Sequence, residues 1–183
     1  YFLMIESIKD IDLKNIKKQN KFSIIYRNKK KLENTTDLLN FRRFCKIKSI
    51  KFYVANNTKL AVLLNSDGLY LSAFNKSFRS LLLKKSNFKI IGSAHSLKEI
   101  SLKSKQGCEV ILFSKLFLVS YDKKASFLGV IRFNNYLKIF KNLIPLGGIS
   151  INNLNSLNNV NCQGFALMSE VKKKPAKIFS RLL

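Results

Sequence analysis

A chain of 183 residues, 46% of them hydrophobic, makes one domain over residues 1–183, with ample core and no room for a second of ordinary size. The 34 Lys and Arg against 10 Asp and Glu give a formal charge of +24, which would put nucleic acid first, yet the lysines are spread along the chain among Asn, Ile and Phe and no basic arm or tail stands out. The most apolar run, Val110 to Val119, carries Lys115 and is about half as long as a membrane-spanning helix, so no membrane partner is expected and a nucleic-acid partner is disfavoured.

Apolar strand-like runs alternate with helical patterns at a period of about 20 residues. Tyr1 to Ile5 reads as strand one, with a frayed edge, and Ile11 to Lys18 as a short helix carrying Ile11, Leu13 and Ile16. Phe22 to Tyr26 is strand two. Thr35 or Thr36 caps the next helix, in which Leu38, Leu39, Phe41, Phe44 and Cys45 face inward at i, i+3 and i+4 spacing. Lys51 to Val54 is strand three, Thr58 to Leu64 a helix, and Asp67 to Leu71 strand four. A helix around Ser77 to Lys85 leads to strand five, Phe88 to Gly92. Ser96 with Glu99 three residues on makes a capping box for the following helix, which Gly107 closes. Glu109 to Phe113 is strand six and Phe133 to Phe140 its helix; strands seven and eight end in small residues, at Gly147-Gly148 and Ser169, and Pro175 opens a last helix.

Roughly eight strands and eight helices in alternation argue for an α/β fold with a parallel sheet and right-handed crossovers, and the number of units favours a closed (β/α)8 TIM barrel over an open sheet. Strand seven stops at Gly147-Gly148 and is followed by Ser150-Ile151-Asn152-Asn153. Two readings fit that corner: a tight turn, or backbone N–H groups converging on an anion such as phosphate, as barrels build one from the loops after strands seven and eight. Cys45, Cys108 and Cys162 are odd in number, widely spaced and each set among apolar residues, which suits free thiols in a reducing cytoplasm better than disulfides or zinc.

Several motifs then carry a resemblance. Ile144-Pro145-Leu146-Gly147-Gly148-Ile149, Gly164-Phe165-Ala166-Leu167-Met168-Ser169, Asp67-Gly68-Leu69-Tyr70-Leu71 and Ile90-Ile91-Gly92-Ser93-Ala94-His95-Ser96 stand in the order and spacing of the thiamine phosphate synthase family and its thiazole tautomerase relatives. From about Phe22 to the C-terminus the chain resembles these small (β/α)8 barrels. The resemblance implies a transferase of thiamine biosynthesis that joins a hydroxymethylpyrimidine diphosphate to a thiazole phosphate and releases diphosphate, with Mg2+ as cofactor and phosphorylated thiamine precursors as partners.

The family's Q-x-R-x-K motif reads Ile25-Tyr26-Arg27-Asn28-Lys29 here, so Arg27 and Lys29 fall on the positions that hold the diphosphate, while the glutamine that contacts the pyrimidine has become Ile25. Asn56 matches a substrate-binding Asn. Both magnesium aspartates have become amides, at Asn57 and Asn75, which supply no charge to fix an ion before substrate arrives. Lys123 falls on a family lysine after a one-residue slip, Lys115 stands where the tautomerase branch has its catalytic His, and His95, the single histidine, reads as structural. By the same carry-over Ser93 contacts the departing diphosphate, and Gly147, Gly148 and Ser169 hold the thiazole phosphate. Three functions remain open at this point: a divergent synthase, a relative that binds a phosphorylated ligand without the reaction, and nucleic-acid binding by the basic surface.

Overall fold

The computed structural model describes residues 1–13, 21–28, 33–86, 88–119, 122 and 124–168. Eight parallel strands close on themselves in sequence order: β1 Phe2–Ile5, β2 Ser23–Tyr26, β3 Lys51–Ala55, β4 Gly68–Leu71, β5 Lys89–Ala94, β6 Val110–Ser114, β7 Leu143–Leu146 and β8 Ala166–Leu167. The first strand does not fray as the sequence suggested, because it pairs on one side with β2 and on the other with β8, Phe2 against Ala166 and Leu3 against Leu167.

A strand's side chains alternate between faces, and here each face is apolar for a different reason. One set points into the barrel, where Met4, Ile25, Tyr53, Tyr70, Ile91, Leu112 and Ala166 pack as a cluster drawing on seven of the strands. The other set, among it Leu3, Ile24, Phe52, Leu69, Ile90, Ile111 and Leu143, forms a larger core with the surrounding helices. Gly68 stands where a Cβ would come within 2.8 Å of the Tyr53 ring, so its lack of a side chain makes room for that tyrosine inside the barrel.

Among the described residues the outer layer contains four α-helices: α1 Thr35–Ile47, α2 Thr58–Leu63, α3 Leu97–Lys105 and α4 Gly129–Ile139. Asn34, not Thr35 or Thr36, caps α1, its Oδ1 accepting from the Thr36 N–H at 2.9 Å. Leu38, Phe41 and Cys45 are buried as expected, but Leu39 and Phe44 are each 43% exposed and the fourth inward position belongs to Arg42. Ser96 caps α3 by accepting from the Glu99 N–H; the Glu99 carboxylate reaches one residue further back than in a capping box and takes the His95 N–H at 2.6 Å. Gly107, at φ +80°, turns the chain out of α3.

Elsewhere the helices differ from expectation. Arg79–Ser86, after β4, and Ile151–Asn159, after β7, are 3₁₀ helices, and Ile8–Asp10 replaces the first turn expected at Ile11, while Ile11 and Leu13 are buried in the core. Residues 14–18 of the proposed first helix and the last helix from Pro175 lie outside the described residues. No helix among the described residues is long and apolar enough to cross a membrane.

Candidate functional site

Because all eight strands run the same way, every residue at a strand's C-terminal end stands at one mouth of the barrel. Arg27 follows β2, Asn56 follows β3, Asn75 lies in the loop after β4, Ser93 is near the end of β5, and Gly147-Gly148 follow β7. The sequence assigned these five positions to one mouth, and the topology brings them there. Lys29, Lys123 and Ser169 lie outside the described residues.

On the β3–β4 side the chain turns through Asn56 at φ +57°, a left-handed conformation that asparagine tolerates better than most residues. The turn aims the Asn56 side chain across to the next strand end. Its Oδ1 accepts from the Ser72 N–H and from Asn75 Nδ2, both at 3.0 Å, and its Nδ2 donates to Ser72 Oγ at 3.1 Å. Asn57 faces the other way along the chain and caps α2, with Oδ1 accepting the Leu60 N–H at 2.9 Å; Asn75 Oδ1 likewise accepts the Ser77 N–H at 2.9 Å. Asn56, Asn57, Asn75 and Ser77 line a cavity of about 690 Å³ whose wall also carries Lys59 and Arg79.

Deeper in the mouth Tyr70 points inward from β4 and is 1% exposed. Its hydroxyl shares a hydrogen bond with the Ser93 side chain; burial raises its pKa, partly opposed by the Ser93 bond and by the positive charge of Arg27. Arg27 continues the inward parity of Ser23 and Ile25 on β2, which puts its charge within range of that phenol. Tyr70 and Ser72 are absent from the sequence-based site, although Tyr70 shares the inward face of β4 with Gly68 and Ser72 continues its parity just past the strand.

The corner after β7 is built from two glycines at φ +90° and +70°. A Cβ on Gly148 would run into the carbonyl oxygens of Phe117 and Leu118, and one on Gly147 would lie 3.2 Å from Lys115 Cα, so only glycine lets the β6 loop close over this turn. That loop is tied down where Leu116 and Phe117 donate their N–H groups to the carbonyls of Leu146 and Gly147. Asn153 braces the other side, accepting from the Ser150 N–H and donating to the Gly148 carbonyl, each at 2.8 Å. The Gly147 N–H faces the Ala166 carbonyl of β8, while those of Gly148 and Ile149 find no acceptor among the described residues. This is an arrangement able to receive an anion, with Lys115 alongside. From the sequence Lys115 is the charge inside the Val110–Val119 run and the residue at the tautomerase histidine position, and carries no phosphate role. His95 is half-exposed, pairs through Nδ1 with Glu99 at 3.3 Å and packs at a tilt against the exposed Phe74 ring.

The family model for thiamine monophosphate synthase matches residues 13–171. The chain belongs to that family, a family of transferases. A thiamine-phosphate synthase of Clostridioides difficile (strain 630) is 24% identical over 139 residues, which are 74% of this chain and 65% of that protein; the chain thus spans a little under two thirds of its length in the match. Among solved structures, a thiamine phosphate pyrophosphorylase from Pyrococcus furiosus superposes with a TM-score of 0.70 at 16% identity, covering 100% of this chain and 96% of the other. The 2-keto-3-deoxy-6-phosphogluconate aldolase of Zymomonas mobilis gives 0.56 at 13% identity, covering 91% and 78%. At such identities these likenesses speak for the shared barrel alone.

Membership raises the question of magnesium, and the residues that the sequence resemblance assigns to it do not fit it. Magnesium demands oxygen donors with charge to offset its dehydration. Asn57 and Asn75 bring no charge, and the carbonyl oxygen of each is already accepting a backbone N–H. Among the described residues no cluster of three or more His, Cys, Asp or Glu could hold a metal ion.

Proposed function

We propose that the chain is a thiamine phosphate synthase whose mouth manages the diphosphate with cations of the protein itself. The observation that carries this reading is a mouth with Arg27 beside the Tyr70–Ser93 pair on one side and, on the other, a Gly147-Gly148 corner whose Gly148 and Ile149 N–H groups have no acceptor among the described residues, with amides where carboxylates would stand. In the reaction the bond from the pyrimidine's methylene to the diphosphate oxygen breaks and both electrons leave with diphosphate. The aminopyrimidine delocalises the resulting cation, and the thiazole nitrogen closes the new C–N bond.

No proton needs to move in these steps, so the protein's task is to orient two substrates and stabilise charge developing on the leaving group. Arg27 takes that role, together with Lys29 and Lys123 on the strength of their sequence positions. Ser93, oriented by Tyr70, donates to the diphosphate; Asn56 contributes to the same end of the site. Gly147, Gly148 and Ser169 hold the thiazole phosphate, with Lys115 supplying local positive charge. A cytoplasmic location, where free thiols persist, belongs to the same reading.

Incubating the protein with the pyrimidine diphosphate and the thiazole phosphate and following thiamine phosphate by chromatography tests it. Slow, protein-dependent product formation is expected. If both substrates bind and no product forms, the second reading, a phosphorylated-ligand binder favoured by the two amides, replaces the first. Binding of RNA that falls steeply with salt, with no binding of either substrate, would support the basic-surface alternative.

A further inference from the structure

Lysine is seldom fully buried unless it is paired, yet Lys103, on α3, has 0% exposure and makes no ion pair among the described residues. The fold makes room for it deliberately. Opposite its stem β5 carries Gly92, where a Cβ would lie 3.0 Å from Lys103 Cδ and 2.8 Å from Cys108 Sγ. The Nζ passes this gap and donates to the Asn75 carbonyl at 2.7 Å and to Gln106 Oε1 at 2.8 Å. Gln106, also 0% exposed, donates through Nε2 to the same Asn75 carbonyl at 3.0 Å and to the Ser77 carbonyl at 2.8 Å. Three donor bonds from one buried pair thus converge on two carbonyls of a single loop.

That loop carries the Asn75 side chain to Asn56 at the barrel mouth and forms one wall of the adjoining cavity. A short exposed turn could close over β4 without burying an amine and an amide beneath it. The cost of desolvating both is offset by fixing one position for the backbone of residues 75–77. Desolvation also lowers the pKa of Lys103, in keeping with the burial of its stem.

We propose that Lys103 and Gln106 are positioning residues for the diphosphate end of the mouth, a buried clamp that holds the Asn75 loop against Asn56. The proposal rests on the reading of this mouth as a diphosphate site. It assigns the pair no contact with substrate: both act through Asn75.

Calorimetric titration with inorganic diphosphate tests the clamp in four proteins: wild type, Lys103→Met, Asn75→Ala and the double variant. Methionine retains the stem and removes the donors. Lys103→Met is expected to weaken diphosphate binding about tenfold in the wild-type background and less than twofold where Asn75 is already alanine, since neighbours acting through one another are not additive. A merely structural lysine would weaken binding by the same factor in both backgrounds, and that result, or unchanged binding in Lys103→Met, overturns the clamp. If Lys103→Met does not fold, Gln106→Met removes the two Nε2 donors, leaves the buried amine in place and is read the same way. Arg27→Gln separates the two levels of the argument. Binding lost in Arg27→Gln but intact in both clamp variants refutes the clamp alone, whereas a wild type that binds no diphosphate, or an Arg27→Gln that binds as well as wild type, refutes the diphosphate reading and the clamp's role with it.

Discussion

Replacing Gly148 with alanine is the sharpest probe of the corner after β7. The residue sits at φ +70°, where an L side chain costs roughly 1–2 kcal/mol. The added Cβ would also meet the carbonyl oxygens of Phe117 and Leu118, and pushing a backbone segment aside typically costs about 1–3 kcal/mol more. A total of roughly 2–5 kcal/mol is a large share of the about 5–15 kcal/mol that holds a protein together. For a chain of this length it corresponds to a melting temperature lower by about 5–15 °C. Gly147→Ala provides the control, because its φ of +90° carries a similar backbone cost while its Cβ meets only Lys115, at 3.2 Å from Cα, 3.3 Å from Cβ and 3.4 Å from Cγ. Thermal melting with and without inorganic phosphate reads both effects. Gly148→Ala should melt well below Gly147→Ala and lose the stabilisation that phosphate gives wild type, since the displaced loop no longer frames the Gly148 and Ile149 N–H groups. A Gly148→Ala protein that melts within about 2 °C of wild type and responds equally to phosphate would refute the reasoning.

Other outcomes follow from the same geometry. Asn57→Asp with Asn75→Asp keeps both oxygens that accept the Leu60 and Ser77 N–H groups and adds two negative charges at the loss of the Asn75 Nδ2 donor to Asn56, so without Mg2+ diphosphate binding should weaken, while with Mg2+ thiamine phosphate formation should rise; a double variant no faster than wild type across a magnesium titration contradicts this. Arg42, 5% exposed, holds Asp67 at 3.1 Å and the Asn65 carbonyl at 3.0 Å, and Arg42→Met should cost about 2–3 kcal/mol in urea unfolding by leaving Asp67, among the described residues, with the Phe52 N–H; Asp67→Asn on top should recover part of it. Burial pushes the Cys45 thiol from 9.0 to about 12 and the Tyr26 and Tyr53 phenols from 10.0 to about 12. Their protonated forms are favoured in the folded state, so this stabilisation is fully present below about pH 9 and is lost as pH rises toward 12 as the unfolded chain ionises first. The urea midpoint should therefore fall between pH 9 and 11, and a flat profile there would contradict the assignment.

The strands were legible because a parallel strand buried on both faces is a short continuous apolar run, and each of the eight ends in residues that leave the sheet readily. The layer outside was less so. Leu81, Leu82 and Leu83 are consecutive, which no single helical stripe accommodates; the segment becomes a 3₁₀ helix and leaves Leu82 80% exposed. Three successive residues, Asn34, Thr35 and Thr36, are all good caps, and propensity alone does not choose among them. At the mouth, Arg27 and Ser93 could be placed by strand parity. The Asn56–Ser72–Asn75 network could not, because it depends on the left-handed turn at Asn56. Lys103 was the least legible: a lysine on an amphipathic helix reads as surface, and the only hint of its burial is a glycine on the strand it crosses.

The central claim is a mouth that binds diphosphate through the protein's own cations, without a metal to bridge it. Titrating inorganic diphosphate into the wild-type protein calorimetrically, once with a chelator present and once with Mg2+, tests that claim most directly. Saturable binding with the chelator, changed less than about threefold by Mg2+ and lost in Arg27→Gln, is the predicted result. Binding that appears only when Mg2+ is added would contradict it.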